Sequence, residues 1–254
     1  QQLGGRKFSI YGQSPQGRGQ DRSLANSGMF AIPTANIVGD IGGVTQDGNW
    51  NFFIEGWACS VGVDASIDVH VYAGGVAGGG TFVASGRANL ATDGNVANAC
   101  QARGSAYWFK IPLDGNVRSN HGGKALYVHG ISPVGGPNLT INRSGTFTIP
   151  AVVRNAELVS ASASPRQIFN GGSSELTFQF RNTGNVVWNP GDTYLAFGIL
   201  QLNESMGLAG PVPPGAVATF TKSVGPKNTG NGNVSFIYKA QMASGGAAWG
   251  VEIG

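Results

Sequence analysis

Charge is what this sequence has least of. Only 11% of its 254 residues are Asp, Glu, Lys or Arg, where about 25% is usual for soluble domains. That scarcity excludes a coiled coil or a long solvated helix, both of which need dense Glu, Lys and Arg. With a formal net charge of +3 and 41% hydrophobic residues, a chain kept unfolded by its own charge is excluded as well. The sixteen basic residues are scattered with no run longer than two, so they form no stripe for phosphates and no nucleic-acid partner is expected. No stretch reaches the ~18 uninterrupted apolar residues that would span a bilayer. The 42 glycines follow no three-residue period and there are only 12 prolines, which rules out collagen.

Cysteine is equally sparse. Cys59 and Cys100 are the only two, and neither belongs to a CxxC pair or a Cys/His cluster with zinc spacing. The reading preferred here is a disulfide, which over that loop length stabilises by roughly 4 kcal/mol in the chain-entropy model and persists only in an oxidising compartment. Two buried thiols are the alternative. A start at Gln1 without an apolar leader fits a mature secreted chain or a piece of a longer one, so a secreted, extracellular or cell-surface location is expected.

What is present is a rhythm of short strands and turns. Residues 1–28 are rich in Gly, Gln, Ser and Arg and read as a polar arm. Its one apolar patch, Phe8-Ser9-Ile10-Tyr11, is able to add to a sheet edge, its own or a neighbour's. Residues 29–150 read as a first β unit, with strands over Phe30 to Val38, Asn49 to Cys59, Ser66 to Tyr72, Thr81 to Ser85, Ala106 to Pro112, Lys124 to Ile131 and Gly145 to Ile149. In Ser66 to Tyr72, Ile67, Val69 and Val71 alternate with Asp68, His70 and Tyr72, as in a half-buried antiparallel strand. The one stretch resembling a short helix is Asn89 to Cys100, with Asp93 as its cap. Residues 151–254 read as a second β unit, with strands over Ala156 to Ser162, Ser174 to Arg181, Thr193 to Ile199, Ala216 to Val224 and Asn233 to Lys239. Leu176, Phe178 and Phe180 mark the inward face of one of them. The expected fold is all-β, two immunoglobulin-like sandwiches in tandem behind the arm.

Two resemblances bear on this. The run Arg181-Asn182-Thr183-Gly184-Asn185-Val186-Val187-Trp188, then Pro190-Gly191, Val212-Pro213-Pro214-Gly215, Tyr238-Lys239-Ala240-Gln241-Met242 and Trp249-Gly250 resembles the immunoglobulin-like four-tryptophan domain of autophagy cargo receptors and many bacterial extracellular proteins. Two of the four tryptophans, Trp188 and Trp249, are present. The first unit, through Gly56-Trp57-Ala58-Cys59, Ser66 to Tyr72, Arg87-Ala88-Asn89-Leu90, Ala99-Cys100 and Tyr127-Val128-His129-Gly130-Ile131, is similar to a Cys-bridged β module of secreted bacterial proteins. Both resemblances imply accessory modules, and neither implies a reaction.

No catalytic constellation stands out. The thirteen acids are spread roughly one per turn or strand, there is no GxSxG elbow, and no phosphate-cradle spacing occurs in the Gly74 to Gly80 loop. His70 and His129 lie on strands; were those strands neighbours, with Asp68 beside His70, a metal site or a triad-like pair could form. The preferred reading assigns no catalytic residue, no metal and no cofactor. Aromatics are the better candidates, because a flat ring stacks on a sugar while nearby polar groups bond hydroxyls. Trp50, Tyr72, Tyr107 and Trp108 are the candidate ligand-binding residues, with at least one ring of Tyr107-Trp108-Phe109 directed outward by strand alternation. Trp57 reads instead as a core residue near the disulfide. The expected role is non-enzymatic recognition or adhesion, with carbohydrate or another surface polymer as partner. The alternative is a self-assembling structural subunit of a fibre, matrix or virion, in which Phe8, Ile10 and Tyr11 of the arm complete a sheet in another copy.

Overall fold

The computed structural model describes residues 6–15, 20–30, 36–104, 106–168, 172–199, 201–225 and 237–253. They are mostly β, in antiparallel sheets, with two short helices. The chain falls into two compact units, residues 1–151 and 152–254. No helix among the described residues is long and apolar enough to cross a membrane.

The first unit opens on a hairpin, β1 (Tyr11–Gly12) paired with β2 (Arg22–Ser23). Next come β3 (Ile37–Gln46), β4 (Phe52–Ser60), β5 (Asp68–Ala73), β6 (Thr81–Arg87) and β7 (Leu90–Ala91). Helix α1 (Gly94–Cys100), β8 (Ala106–Leu113), helix α2 (Gly115–His121), β9 (Leu126–Gly130) and β10 (Leu139–Thr140) complete it. Two four-stranded sheets result, ordered β3-β4-β8-β7 and β10-β9-β5-β6. They share one core, to which Ile41, Ile54 and Phe109 contribute from one sheet and Val69, Val71 and Val128 from the other. Ile67, Val69 and Val71 are buried, as their alternation with polar neighbours requires.

Two glycines let large side chains into this core. A Cβ on Gly56 of β4 would stand 2.8 Å from the Phe109 ring, and one on Gly86 of β6 would stand 2.8 Å from Ile111. Neither distance is tolerable between carbon atoms that cannot retreat.

Helix α1 starts where Asp93 Oδ1 accepts the backbone N–H groups of Asn95 and Val96, at 3.0 and 3.2 Å. The helix is shorter than the sequence suggests, since Leu90–Ala91 belongs to a strand. Its last residue, Cys100, is bonded to Cys59 at the end of β4, and the two pack with Val96 and Tyr107 in a small separate cluster. Helix α2 was not expected; Asp114 caps it through the N–H of Val117 at 2.8 Å. Strand β3 also departs from expectation, running through Ile37–Gln46 rather than ending at Val38; residues 31–35 of the expected strand lie outside the described residues. It is an edge strand with a bulge at Gly42, and an edge strand tolerates the glycines at Gly39, Gly42 and Gly43. The strand expected over Gly145 to Ile149 is a turn with one isolated bridge, Ala125 to Thr148.

In the second unit β11 (Ala156–Ser164), β12 (Ser174–Asn182) and β15 (Val217–Val224) form one sheet in the order β11-β12-β15. The strands β13 (Thr193–Ile199), β14 (Glu204–Gly207), β16 (Tyr238–Ser244) and β17 (Ala247–Ile253) form the other, ordered β14-β13-β16-β17. The strand expected over Asn233 to Lys239 lies outside the described residues except for 237–239. Leu176, Phe178, Phe180 and Phe220 meet Leu195, Phe197 and Met242 in one core. Trp188 is buried there, its ring 5.4 Å from that of Trp249. Asn182 is buried because its side chain closes the turn that follows it. Its Nδ2 donates to the carbonyls of Val186 and Val212, and its Oδ1 accepts from the N–H of Gly184.

Native protein should show no thiol reactive to a maleimide before reduction and two afterwards; reduction, or the double variant Cys59→Ser/Cys100→Ser, should lower unfolding stability by about 4 kcal/mol, read from chemical denaturation. In the same assay Gly56→Ala should destabilise by about 1–3 kcal/mol by driving a methyl group against the Asp40 carbonyl of β3 and the Phe109 ring.

Candidate functional site

The central strands β4 and β8 each bury one face and leave the other outside. Inward go Ile54, Gly56 and Ala58 of β4 with Phe109, Ile111 and Leu113 of β8, all buried. By alternation Phe53, Glu55 and Trp57 of β4 and Trp108, Lys110 and Pro112 of β8 share the outer face. Register places them side by side: Trp57 is opposite Trp108, Glu55 opposite Lys110, and Phe53 opposite Pro112. The tryptophan row is four strands wide, from Asp40 on β3 through Trp57 and Trp108 to Leu90 on β7. Trp57 and Trp108 are both half-buried.

The bulge in β3 shapes this face. A Cβ on Gly42 would lie 3.3 Å from the Cζ2 and Cη2 atoms of Trp108. The end of the Trp108 ring therefore reaches across β4 from its own strand to the bulge. Trp57 packs against the disulfide cluster, as its sequence context suggested, while its register pairs it with Trp108.

The charges on this face are paired at short range. Lys110 Nζ lies 2.7 Å from Glu55 and 4.5 Å from the centre of the Phe53 ring. Burial works to raise the Glu55 pKa, but hydrogen bonds from Lys110 and Thr45 outweigh it and hold the carboxyl below its ordinary value. Arg143 forks onto Asp40, Nε to Oδ1 at 2.8 Å and Nη2 to Oδ2 at 2.9 Å, which raises the guanidinium pKa, chiefly through that hydrogen bond.

Trp50 sits at the end of the same hairpin, in the turn from β3 to β4. Asp47 Oδ1 accepts the N–H groups of Asn49 and Asn51, each at 2.9 Å, and Oδ2 accepts Asn51 Nδ2 at 3.0 Å. These bonds, the Asn51 side chain first, hold the Asp47 carboxyl below its usual pKa. They also fix Trp50 at φ +64°, a left-handed conformation that bulky residues seldom adopt. Trp50 helps line a shallow cleft of about 320 Å³ with Phe53, Pro112, Asp114 and Arg118. Phe53 and Pro112 belong both to this cleft and to the outer face of β4 and β8, so the two surfaces adjoin.

The other expected residues do not join them. Tyr107 is fully buried; it alternates with Trp108 and packs against the disulfide, so it is withdrawn as a ligand contact. Tyr72 lies on the outer face of the opposite sheet, edge-on to Phe82 at 5.7 Å and to His129 at 5.2 Å. There β5 and β9 are neighbours and His70 stands directly opposite His129. Asp68 is opposite Arg87, and the described residues hold no group of three or more His, Cys, Asp or Glu placed to bind a metal ion. His129 Nε2 instead accepts the backbone N–H of Ala77 at 3.2 Å, which ties the glycine-rich loop to the sheet, and lies 3.3 Å from Thr140 Oγ1. His121, the third histidine, ends α2. Phe8, Ile10 and Tyr11 are exposed, and Tyr11–Gly12 pairs within its own chain. Trp57, read from the sequence as a core residue and not as a ligand contact, is only half-buried and shares the outer face with Trp108; its alternation with the buried Gly56 and Ala58 was the signal.

No protein-family model matches the chain and no curated protein matches it.

Burial, then the adjacent His70, pushes the His129 pKa below the ordinary histidine value of 6.5. The unfolded chain therefore binds more protons between the two values, and stability should fall as pH drops through about 6.5 and level off below the folded pKa. Urea midpoints from pH 7.5 to 5 should show that decline, and His129→Gln should flatten it.

Proposed function

We propose that this is a non-enzymatic extracellular recognition protein whose first unit binds carbohydrate on the outer face of β4 and β8. The observation that carries the proposal is the Trp57–Trp108 cross-strand pair on a half-open sheet face, continued by Phe53 toward Trp50. Stacked rings recognise the apolar faces of pyranoses. Asp40, Arg143, Glu55 and Lys110 border the rings and supply donors and acceptors for hydroxyls. Because each of these charges has an opposite partner within 3 Å, the face suits a neutral polymer better than a charged one. Secretion accords with the disulfide, which forms and persists in oxidising compartments.

We read both units as immunoglobulin-like sandwiches. Support comes from the seven strands among the second unit's described residues, divided three and four between two sheets around one core, and from the sequence resemblance to four-tryptophan domains. In that unit Trp188 is wholly buried and Trp249 partly so, against the same core, so binding is assigned to the first unit. The assembly alternative draws less support, since the arm's Tyr11–Gly12 already pairs with Arg22–Ser23 of its own chain.

The test is retention on insoluble neutral polysaccharides and on an array of soluble glycans. Trp57→Ala and Trp108→Ala should each weaken binding about tenfold or more while the far-ultraviolet circular dichroism and the melting of the second unit stay unchanged. Gly42→Val, which pushes the Trp108 ring off the sheet, should weaken it in the same direction. Absence of any glycan bound by the parent protein, or binding indifferent to all three changes, defeats the proposal.

A further inference from the structure

The formal net charge of this protein traces to one segment. Residues 1–30 contain four basic and one acidic residue and so account for the whole net charge of +3, while residues 31–254 carry twelve of each sign. The same segment holds six of the ten exposed large apolar side chains among the described residues of the first unit, the three most exposed included. Phe8, Ile10, Tyr11, Leu24, Met29 and Phe30 are between 41% and 72% exposed, a density of uncovered rings and aliphatic chains that a soluble surface normally avoids.

These side chains are held up by a folded backbone. Phe8 N–H donates to Phe30 O at 3.1 Å and Gly28 N–H to Phe8 O at 3.0 Å. Leu24 N–H donates to Ile10 O at 2.9 Å, and Ile10 N–H to Ser27 Oγ at 2.8 Å. The Phe8 and Phe30 rings are brought to 6.3 Å, nearly parallel, and Leu24 lies over the bare backbone of Gly12. Arg6, Lys7 and Arg22 are exposed on the same hairpin. A two-stranded hairpin is marginal in water without something to cover its apolar side.

We infer that the hairpin formed by residues 6–15 and 20–30 docks on an anionic lipid surface. A bilayer interface takes both kinds of group at once, the rings and aliphatic chains among the upper acyl chains and the basic side chains among acidic headgroups. A second copy of this hairpin is disfavoured as the occupant because it brings like charge against like charge. Nucleic-acid phosphates satisfy the cations and leave Ile10, Leu24 and Met29 in water.

The test is co-sedimentation of the full chain with phosphatidylcholine vesicles and with vesicles in which about one third of the lipid is phosphatidylglycerol. The bound fraction should be several-fold higher on the anionic vesicles and should return to the neutral level near 0.5 M salt, where the Debye length is only a few ångströms. Phe8→Ser/Phe30→Ser should lower it about fivefold or more, and Arg6→Gln/Lys7→Gln/Arg22→Gln, which changes only exposed side chains, should do the same with an unchanged melting curve. Equal binding to both vesicle types, or variants that bind like the parent, overturns the inference. So does a dimer in sedimentation velocity that the Phe8/Phe30 variant abolishes while vesicle binding persists, or retention by duplex DNA without vesicle binding. Because the vesicles carry no glycan and the variants leave Trp57 and Trp108 intact, this result is independent of the carbohydrate assay.

Discussion

The first unit depends on large side chains seated over glycine. Phe109 fills the space above Gly56, and Ile111 does so against Gly86. Both large residues come from β8, so this strand is locked to its own sheet through β4 and to the facing sheet through β6. That arrangement fixes the phase of β8. Once Phe109 and Ile111 face inward, Trp108 and Lys110 have no choice but the outer face, because a one-residue slip would exchange every side chain. The outer tryptophan pair is thus a by-product of inner packing, and its position is as rigid as the core that sets it.

How much of this was legible follows the same physics. Alternating strands could be read directly, as with Ile67, Val69 and Val71 or Leu176, Phe178 and Phe180, because apolar side chains at every second position line one face of a strand and scatter around a helix. The two helices show a subtler case. Both begin at an identical Asp-Gly-Asn-Val, residues 93–96 and 114–117, and in both the Asp side chain caps the helix. Recognition of one therefore contained the other. Asp47-Gly48-Asn49-Trp50 starts the same way yet makes a hairpin turn, since Phe52 onward continues as a strand and Asn51 closes back on Asp47. Strand β3 was obscured by its glycines, whose use appears only when the Trp108 ring is seen to occupy the bulge. Tyr107 could not be separated from Trp108 by alternation alone. That rule says one of two neighbours faces outward, and which one is decided by Gly56 on the adjacent strand.

The second unit spends its aromatics differently. Phe178, Phe180, Phe197, Phe220 and Trp188 are all buried, and Trp249 is held at the edge of the same core by its Nε1 donating to Ser244 Oγ at 3.0 Å. The motif that resembles four-tryptophan domains has a structural reason here. Asn182 satisfies three backbone groups in the turn, and Trp188 exchanges two backbone hydrogen bonds with Val212. Residues with such duties are fixed by folding whether or not the domain binds anything, so the resemblance speaks to architecture more than to partners.

Scarcity of charge has a final consequence for how the surfaces differ. On the aromatic face each charge is neutralised within 3 Å, so its field is short-ranged and salt changes it little. In the hairpin the cations outnumber the acid and stand among exposed rings, so their field extends into solvent and falls with ionic strength. A chain with dense charge everywhere would blur these two behaviours. With so few charges, and with those beyond the first thirty residues balanced in sign, one face presents ring surface with its charges cancelled and the other presents an unbalanced positive sign.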